Sequence, residues 1–259
     1  MSHDIVVRMR PKISLENKQH VQELYQHYEE YQQPRLTSQL AWRAFDGLCR
    51  PWVGYVDGAE EEINNLRLRK IPQIYAFNHP TDVYDQFVVA ATLLKVDPSA
   101  AGRTRVLTKD PVIKMLGPVA DILGGVPAFR KSDNGDGELV DFATATMLNT
   151  TANIILDNQN LVIFPEGTHT KGDPSVIGKV RTGIGEIATR VTAKGGAVAI
   201  TPIGMSYGRI GTWPNPRHAN VVVGHSFVVD PDATVHSITQ DTANRLQKVV
   251  TTAHKHHQI

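Results

Sequence analysis

One cysteine, Cys49, stands in 259 residues. That excludes an intramolecular disulfide framework and any cysteine-rich zinc module, and it is compatible with a reducing compartment. An excess of one charge is lacking as well. Lys and Arg total 27 against 26 Asp and Glu, a formal net charge of +1. A dedicated nucleic-acid binder carries a clear basic excess, so no nucleic-acid partner is expected. Nowhere do about 18 uncharged apolar residues follow one another, the run needed to span a bilayer as a helix. Residues 1–13 mix charges with apolar side chains and form no signal-peptide core. The expectation is a cytoplasmic protein, soluble or held by its surface on the inner face of a membrane. Metal and nucleotide signatures are missing too. There is no H-E-x-x-H pair and no G-x-x-x-x-G-K-[ST] loop, and Gly124-Gly125 lacks the following helix that a dinucleotide fingerprint requires. His254, His256 and His257 cluster near the C-terminus and read as a polar tail before they read as a metal site.

What is present is apolar material, 41% of residues, enough for one large domain or two small ones. Residues 15–33 read as a polar Glu/Gln-rich helix ending at Pro34, a solvated outer layer. Over 36–52, Leu36, Leu40, Ala41, Ala44, Phe45, Leu48 and Trp52 recur near helical spacing, with Trp42 and Trp52 flanking the stripe. Such a stripe suits a helix packed on the core. The alternative is an interfacial helix with Trp in lipid headgroups, a weak peripheral membrane contact because only Arg43 and Arg50 add positive charge. From about residue 70, strand and helix signals alternate. Strands are expected over 71–77, 105–107, 126–129, 161–164, 197–203 and 221–229, and helices over 86–96, 112–122, 138–158, 184–192 and 235–256. Pro127 confines 126–129 to a sheet edge or a strand start. The alternation predicts an α/β fold: a mixed, largely parallel sheet covered by helices on both faces. An N-terminal helical region, residues 1–60, would pack on a body of residues 61–259.

Sites in such sheets form from loops beyond the strand ends, and three polar motifs follow expected strands. The first is Asn78-His79-Pro80-Thr81-Asp82-Val83-Tyr84-Asp85. A histidine just past a strand, with carboxylates close behind, suits an oriented general base. The carboxylate accepts from one ring nitrogen and fixes the tautomer; the other nitrogen faces a substrate hydroxyl, for about 10²–10⁴-fold in rate. The same aspartates also suit local structure, with Asp82 as N-cap of the next helix and Asp85 at N3. The second motif is Phe164-Pro165-Glu166-Gly167-Thr168-His169-Thr170. It reads as a tight turn. With Lys171, Lys179 and Arg181 behind it and Arg130-Lys131 after an earlier strand, it also reads as a place where cations converge on a phosphate. The third is Gly204-Met205-Ser206-Tyr207-Gly208, a literal G-x-S-x-G. A nucleophile elbow needs a helix immediately afterwards, and Arg209-Ile210-Gly211-Thr212-Trp213-Pro214-Asn215-Pro216 does not start one. A serine esterase using Ser206, with Asp230 or Asp232 and His236 or His254, is the alternative; the expected place of Ser206 is a loop lining the site.

Together these blocks resemble the glycerolipid acyltransferase family, the glycerol-3-phosphate and 1-acylglycerol-3-phosphate O-acyltransferases. Asn78, His79 and Asp85 match its first block, and Gly125-Val126-Pro127-Ala128-Phe129-Arg130 its second. Phe164 to Thr168 match the third at every position, and Ile200-Thr201-Pro202-Ile203 the fourth. Order and spacing agree across about residues 70–230. Two departures stand out. Five residues separate His79 from Asp85 where four are commoner, which keeps Asp82 as the other candidate partner. His169 stands where Arg is usual, shifting phosphate contact toward Arg130, Lys179 and Arg181. The resemblance implies direct acyl transfer without an acyl-enzyme. His79, oriented by Asp85, would deprotonate a glycerol hydroxyl that attacks the thioester of an acyl-CoA or acyl carrier protein. Arg130, Lys131, Glu166, Gly167, Thr168, His169, Lys179 and Arg181 would hold a glycerol-phosphate or lysophospholipid acceptor. Segments 110–126 or 184–203 would line an acyl groove. No metal or resident cofactor is implied. A non-catalytic lipid- or phosphate-binding relative is the remaining alternative.

Overall fold

Apolar runs without polar alternation become strands covered on both faces. In the computed structural model, which describes residues 10–81, 84–135, 137–170, 172–210 and 213–255, the run before Asn78 is such a strand and lies at the centre of the sheet. In chain order the N-terminal elements are α1 (Lys18–Glu30), α2 (Arg35–Cys49), β1 (Trp52–Tyr55) and α3 (Ala59–Leu68). Then come β2 (Gln73–Phe77), α4 (Asp85–Val96), β3 (Thr104–Lys109), α5 (Asp110–Leu116), α6 (Pro118–Ile122) and β4 (Gly125–Ala128). The second half holds α7 (Lys131–Asn134), α8 (Glu138–Leu156), β5 (Asn160–Ile163), α9 (Gly183–Ala193), β6 (Ala199–Ile210), β7 (Trp213–Val223), β8 (Phe227–Val228) and α10 (Val235–Lys255).

The strands form one mixed sheet in the order β1-β7-β6-β2-β5-β3-β4, with β8 also on β6. β2 pairs parallel with both β5 and β6, and β3 pairs parallel with β4 and β5. Only the β6–β7 and β6–β8 pairings are antiparallel. Side chains alternate across the sheet. Tyr75 and Phe77 pack with Trp42, Val88, Leu93, Ile203 and Met205 under α2 and α4. Ile74 and Ala76 pack with Ala152, Ile155, Ile187 and Val191 under α8 and α9. Helices thus cover both faces, as the alternation of elements implies. β4, which carries Pro127, is an outermost strand.

Several expectations are corrected. The polar helix α1 is no solvated layer: Val21, Leu24, Tyr25 and Tyr28 form a fully buried stripe, and the Tyr25 hydroxyl donates to Pro127 O at 2.8 Å. Arg105, fully buried beneath it, reaches the carbonyls of Tyr28 and Tyr31; burial lowers its pKa to about 10. The 36–52 segment is not one helix. α2 stops at Cys49, Arg50 caps it in the left-handed region, and Trp52 opens β1, an edge strand paired with β7. The buried face of α2 is Ser38, Trp42 and Cys49, whereas Leu36, Leu40 and Leu48 are exposed. The leucines share one face of the helix at steps of four, and it is the neighbouring face that packs on α4. Residues 112–122 divide into α5 and α6 because Gly117 adopts φ 55 and Pro118 starts a new helix. Sequence reading also missed α3.

The largest difference is β6. It continues past Ile203 to Ile210, so the G-x-S-x-G residues lie inside a strand and not in a loop. Gly204 is required there by close approach of α10. A Cβ at 204 would sit 2.5 Å from Val249 C and Val250 N, both backbone atoms. Gly204→Ala is therefore expected to destabilise the protein by about 1–3 kcal/mol, read as a lower urea midpoint with an unchanged slope.

Candidate active site

Parallel strands send their C-terminal ends to one edge, so the loops after β2, β4 and β5 converge. The first holds His79, the second Arg130 and the third Glu166. β2 and β5 are direct neighbours, which brings the first and third motifs into contact. The His79 backbone N–H donates to Glu166 Oε1 at 3.0 Å, and its carbonyl accepts from Thr170 N at 2.7 Å. The imidazole stacks on Phe164, with ring centroids 4.6 Å apart.

The ring is oriented by Asp85. His79 Nδ1 lies 2.7 Å from Asp85 Oδ2, which puts the proton on Nδ1 and leaves Nε2 as the acceptor nitrogen. Nε2 takes no hydrogen bond from the described residues. Asp85 itself is fully buried. Among the described residues it is compensated without a cation: Oδ2 also accepts from Thr81 N at 3.0 Å, and Oδ1 accepts from the hydroxyls of Thr81 at 2.7 Å and Tyr207 at 2.8 Å. Asp85 is the first residue of α4, with Tyr84 at the N-cap, not the N3 residue expected from the sequence. That position adds the favourable field of the helix N-terminus. Asp82 lies outside the described residues, as do Lys171, His256 and His257.

Glu166 is only 2% exposed. Its Oε2 accepts from Thr170 Oγ1 at 3.2 Å and from Gly178 N, so both oxygens are spent inside the chain. It ties the loop after β2 to the segment 170–178. Glycine at 178 admits this close approach, because a Cβ would lie 2.7 Å from Glu166 Oε2 and push the carboxylate aside. Gly167 takes φ 69, and its carbonyl accepts from Arg130 Nη1 at 2.7 Å. Arg130 is held on its other side by Asp133 at 2.7 Å. Arg181 donates from Nε to Glu166 O at 3.2 Å, beside Gly167. Arg130, Gly167 and Arg181 therefore stand together. Lys131 instead reaches Asp141 on α8 at 2.9 Å, and Lys179 is exposed. Thr168 and His169 are half-buried, and the His169 ring stands edge-on to His79 at 6.4 Å.

Three participants have roles that sequence reading did not assign, although Asn78 and Thr81 lie in the first motif. Thr81 and Tyr207 hold Asp85. Asn78 clamps the overhanging part of β6, donating to Met205 O at 3.0 Å and accepting from Met205 N at 2.6 Å. The signal for Tyr207 was a strand-like alternation continuing through 203–207, which the glycines at 204 and 208 disguised as a loop.

The serine-esterase alternative is overturned. Ser206 is fully buried on the opposite face of β6 and donates to Ala253 O at 2.8 Å, with no histidine on its hydroxyl. Among the described residues, no group of three or more His, Cys, Asp or Glu could hold a metal ion.

A family model described as Acyltransferase matches residues 59–206, more than half the chain. The match runs from α3 into β6 and contains the His79–Asp85 pair, Arg130 and Glu166. The chain belongs to this acyltransferase family. A search of curated proteins found no match.

Two outcomes test this description. Ser206→Ala should retain full acyl transfer, and a fluorophosphonate probe should not label the wild-type protein. Glu166→Gln keeps one acceptor oxygen but turns an amide toward donors, and should cost about 1.5–3 kcal/mol in denaturant unfolding.

Proposed function

We propose that this acyltransferase moves a fatty acyl group from an acyl-CoA or acyl carrier protein thioester to a hydroxyl of glycerol 3-phosphate or 1-acylglycerol 3-phosphate, a step of phospholipid synthesis. The observation that carries the mechanism is the 2.7 Å bond between His79 Nδ1 and Asp85. With Nδ1 occupied, Nε2 takes the acceptor's hydroxyl proton as that oxygen bonds to the thioester carbonyl carbon. The C–S bond then breaks, and the proton passes from Nε2 to the departing thiolate sulfur. Buried Asp85 stabilises the imidazolium between the two transfers, and holding both substrates supplies much of the remaining rate. Arg130 and Arg181, beside Gly167, are the cations best placed for the acceptor's phosphate, with His169 facing the same histidine. Glu166 fixes the loop that carries Gly167 to the backbone of His79.

The acyl chain has a matching groove. An apolar cavity of about 160 Å³ is lined by Phe87, Ala90 and Leu93 on α4, Val106 on β3, and Val112 and Met115 on α5. α4 begins at Asp85, so the lining from Gln86 to Leu93 leads away from the histidine for about 10 Å at 1.5 Å per residue. This supports the 110–126 segment as a groove wall; 184–203 contributes none of the lining. Beyond it, exposed Leu36 and Leu40 on α2 and Met115 on α5 lie on helices that border the cavity. They support a peripheral contact with a membrane surface, where lipid substrates reside. Among the described residues no helix is long and apolar enough to cross a membrane.

His79→Ala should lower acyl transfer by about 10²–10⁴-fold with an unchanged circular dichroism spectrum. The assay is thioester release with labelled donor and a panel of acceptors, followed by lipid analysis. Turnover retained in this variant would remove the mechanism. Ala90→Phe, which narrows the groove, should lower kcat/KM for long-chain donors while sparing short-chain ones. Equal loss for all chain lengths would place the chain elsewhere.

A further inference from the structure

The overhang of β6 beyond its partner places a side chain against the catalytic pair. β2 ends at Phe77, opposite Ile203, but β6 runs on to Ile210. Alternation puts Ile203, Met205 and Tyr207 on the face covered by α4, and Ser206 on the face covered by α10. Tyr207 is the last regular partner before the ladder breaks: it faces Ala219, while Gly208 faces Asn215. Irregularities of this kind near sites re-aim side chains. Gly208 admits the turn of the strand, since a Cβ there would lie 2.9 Å from the His218 Cβ.

The geometry points to Tyr207 as a positioning residue that sets the orientation and basicity of the His79–Asp85 pair through its hydroxyl. This rests on the general-base reading above. The carboxylate offers about four lone-pair sites, and all four are filled: Oδ2 by His79 Nδ1 and Thr81 N, Oδ1 by Thr81 Oγ1 and Tyr207 Oη. Two donors on each oxygen hold the plane of Asp85 and hence the imidazole. They also draw charge off the carboxylate, so that Asp85 stabilises imidazolium less than a bare carboxylate would. Burial and the neighbouring Asp85 push the Tyr207 phenol well above its usual range, so it remains a donor wherever the enzyme works. The ring packs among the apolar residues under α4, and phenylalanine fills the same space without the hydroxyl.

The other groups around the pair are Glu166 and His169 from the loop after β5, Thr81 and Tyr84 before α4, and Cys49 of α2 near the Tyr207 phenol. Tyr207→Phe leaves all of these in place. Its expected effects are a fall of about tenfold in kcat, the loss of one hydrogen bond to a charged group, with little change in KM for donor or acceptor. Because the carboxylate loses one of its four donors, the pH profile of kcat/KM also departs from that of the wild type. Ser206→Ala, a change on the opposite face of the same strand, should show neither effect. The downfield Nδ1–H proton resonance of His79 in the full chain without substrates, identified by its loss in His79→Ala, should move in Tyr207→Phe. An unmoved resonance, or wild-type kcat and pH profile, overturns the assignment. A moved resonance in a protein inactive toward every acceptor in the panel supports it while refuting the acceptor chemistry proposed above.

Discussion

A carboxylate that is 2% exposed and has no cation on it among the described residues must be met by hydrogen-bond donors, and Glu166 meets this demand with three donors from two segments. The loop after β2 gives the His79 amide, and segment 170–178 gives a hydroxyl and an amide. That carboxylate adds to the direct Thr170 N–His79 O bond and the Phe164 stack in fixing the seat of the histidine. The Phe-Pro-Glu-Gly-Thr sequence therefore acts through its backbone-binding glutamate as much as through anything that touches a ligand. The same logic holds at Asp85, the second buried carboxylate, where neutral donors and the start of α4 stand in for a cation. Two negative groups are thus kept beneath a site whose positive charges, Arg130 and Arg181, stand at its rim beside Gly167.

The sheet supplies the frame that makes these bonds possible. β2 and β5 are adjacent and parallel, so their C-terminal loops meet without a long connection. α4 returns antiparallel to β2 and carries both Asp85 at its first residue and the groove lining along its next two turns. One helix therefore sets the separation between the base and the apolar cavity. α2 packs beside α4 on the same face of the sheet through Trp42 and Cys49, and Ser38 ties it to the Ile122 carbonyl at 2.7 Å. The N-terminal helices are in this way part of the groove's surroundings, and β1 extends the sheet itself.

Much of this was legible before folding. The mostly apolar run at 71–77 and the unbroken one at 161–164 marked buried strands, Pro127 marked an edge or a strand start, and the polar motifs after 77 and 164 marked the site. Where reading failed, the failures share a cause. Leu36, Leu40 and Leu48 read as a packed stripe, because helical spacing shows only that residues share a face, not which face meets the core. The internal bonds of Glu166 went unread because a motif does not show which backbone groups a carboxylate will meet. Tyr207 was overlooked because Gly204 and Gly208 resemble loop punctuation, although the first is there to admit α10 and the second to admit a break in pairing.

The order of apolar and polar segments along this chain determined by itself that strands and helices would alternate, that the sheet would be largely parallel, and that His79, Arg130 and Glu166 would emerge at strand ends. These follow from local periodicity and from the exclusion of buried, unpaired backbone. Tertiary structure alone decided that β6 overshoots β2, that Asp85 rather than a cation-paired acid closes on the imidazole with four donors around it, and that Ser206 turns away from the site. Those outcomes depend on distances between residues more than a hundred positions apart, such as Tyr207 and Asp85, and such distances are set by how whole layers pack.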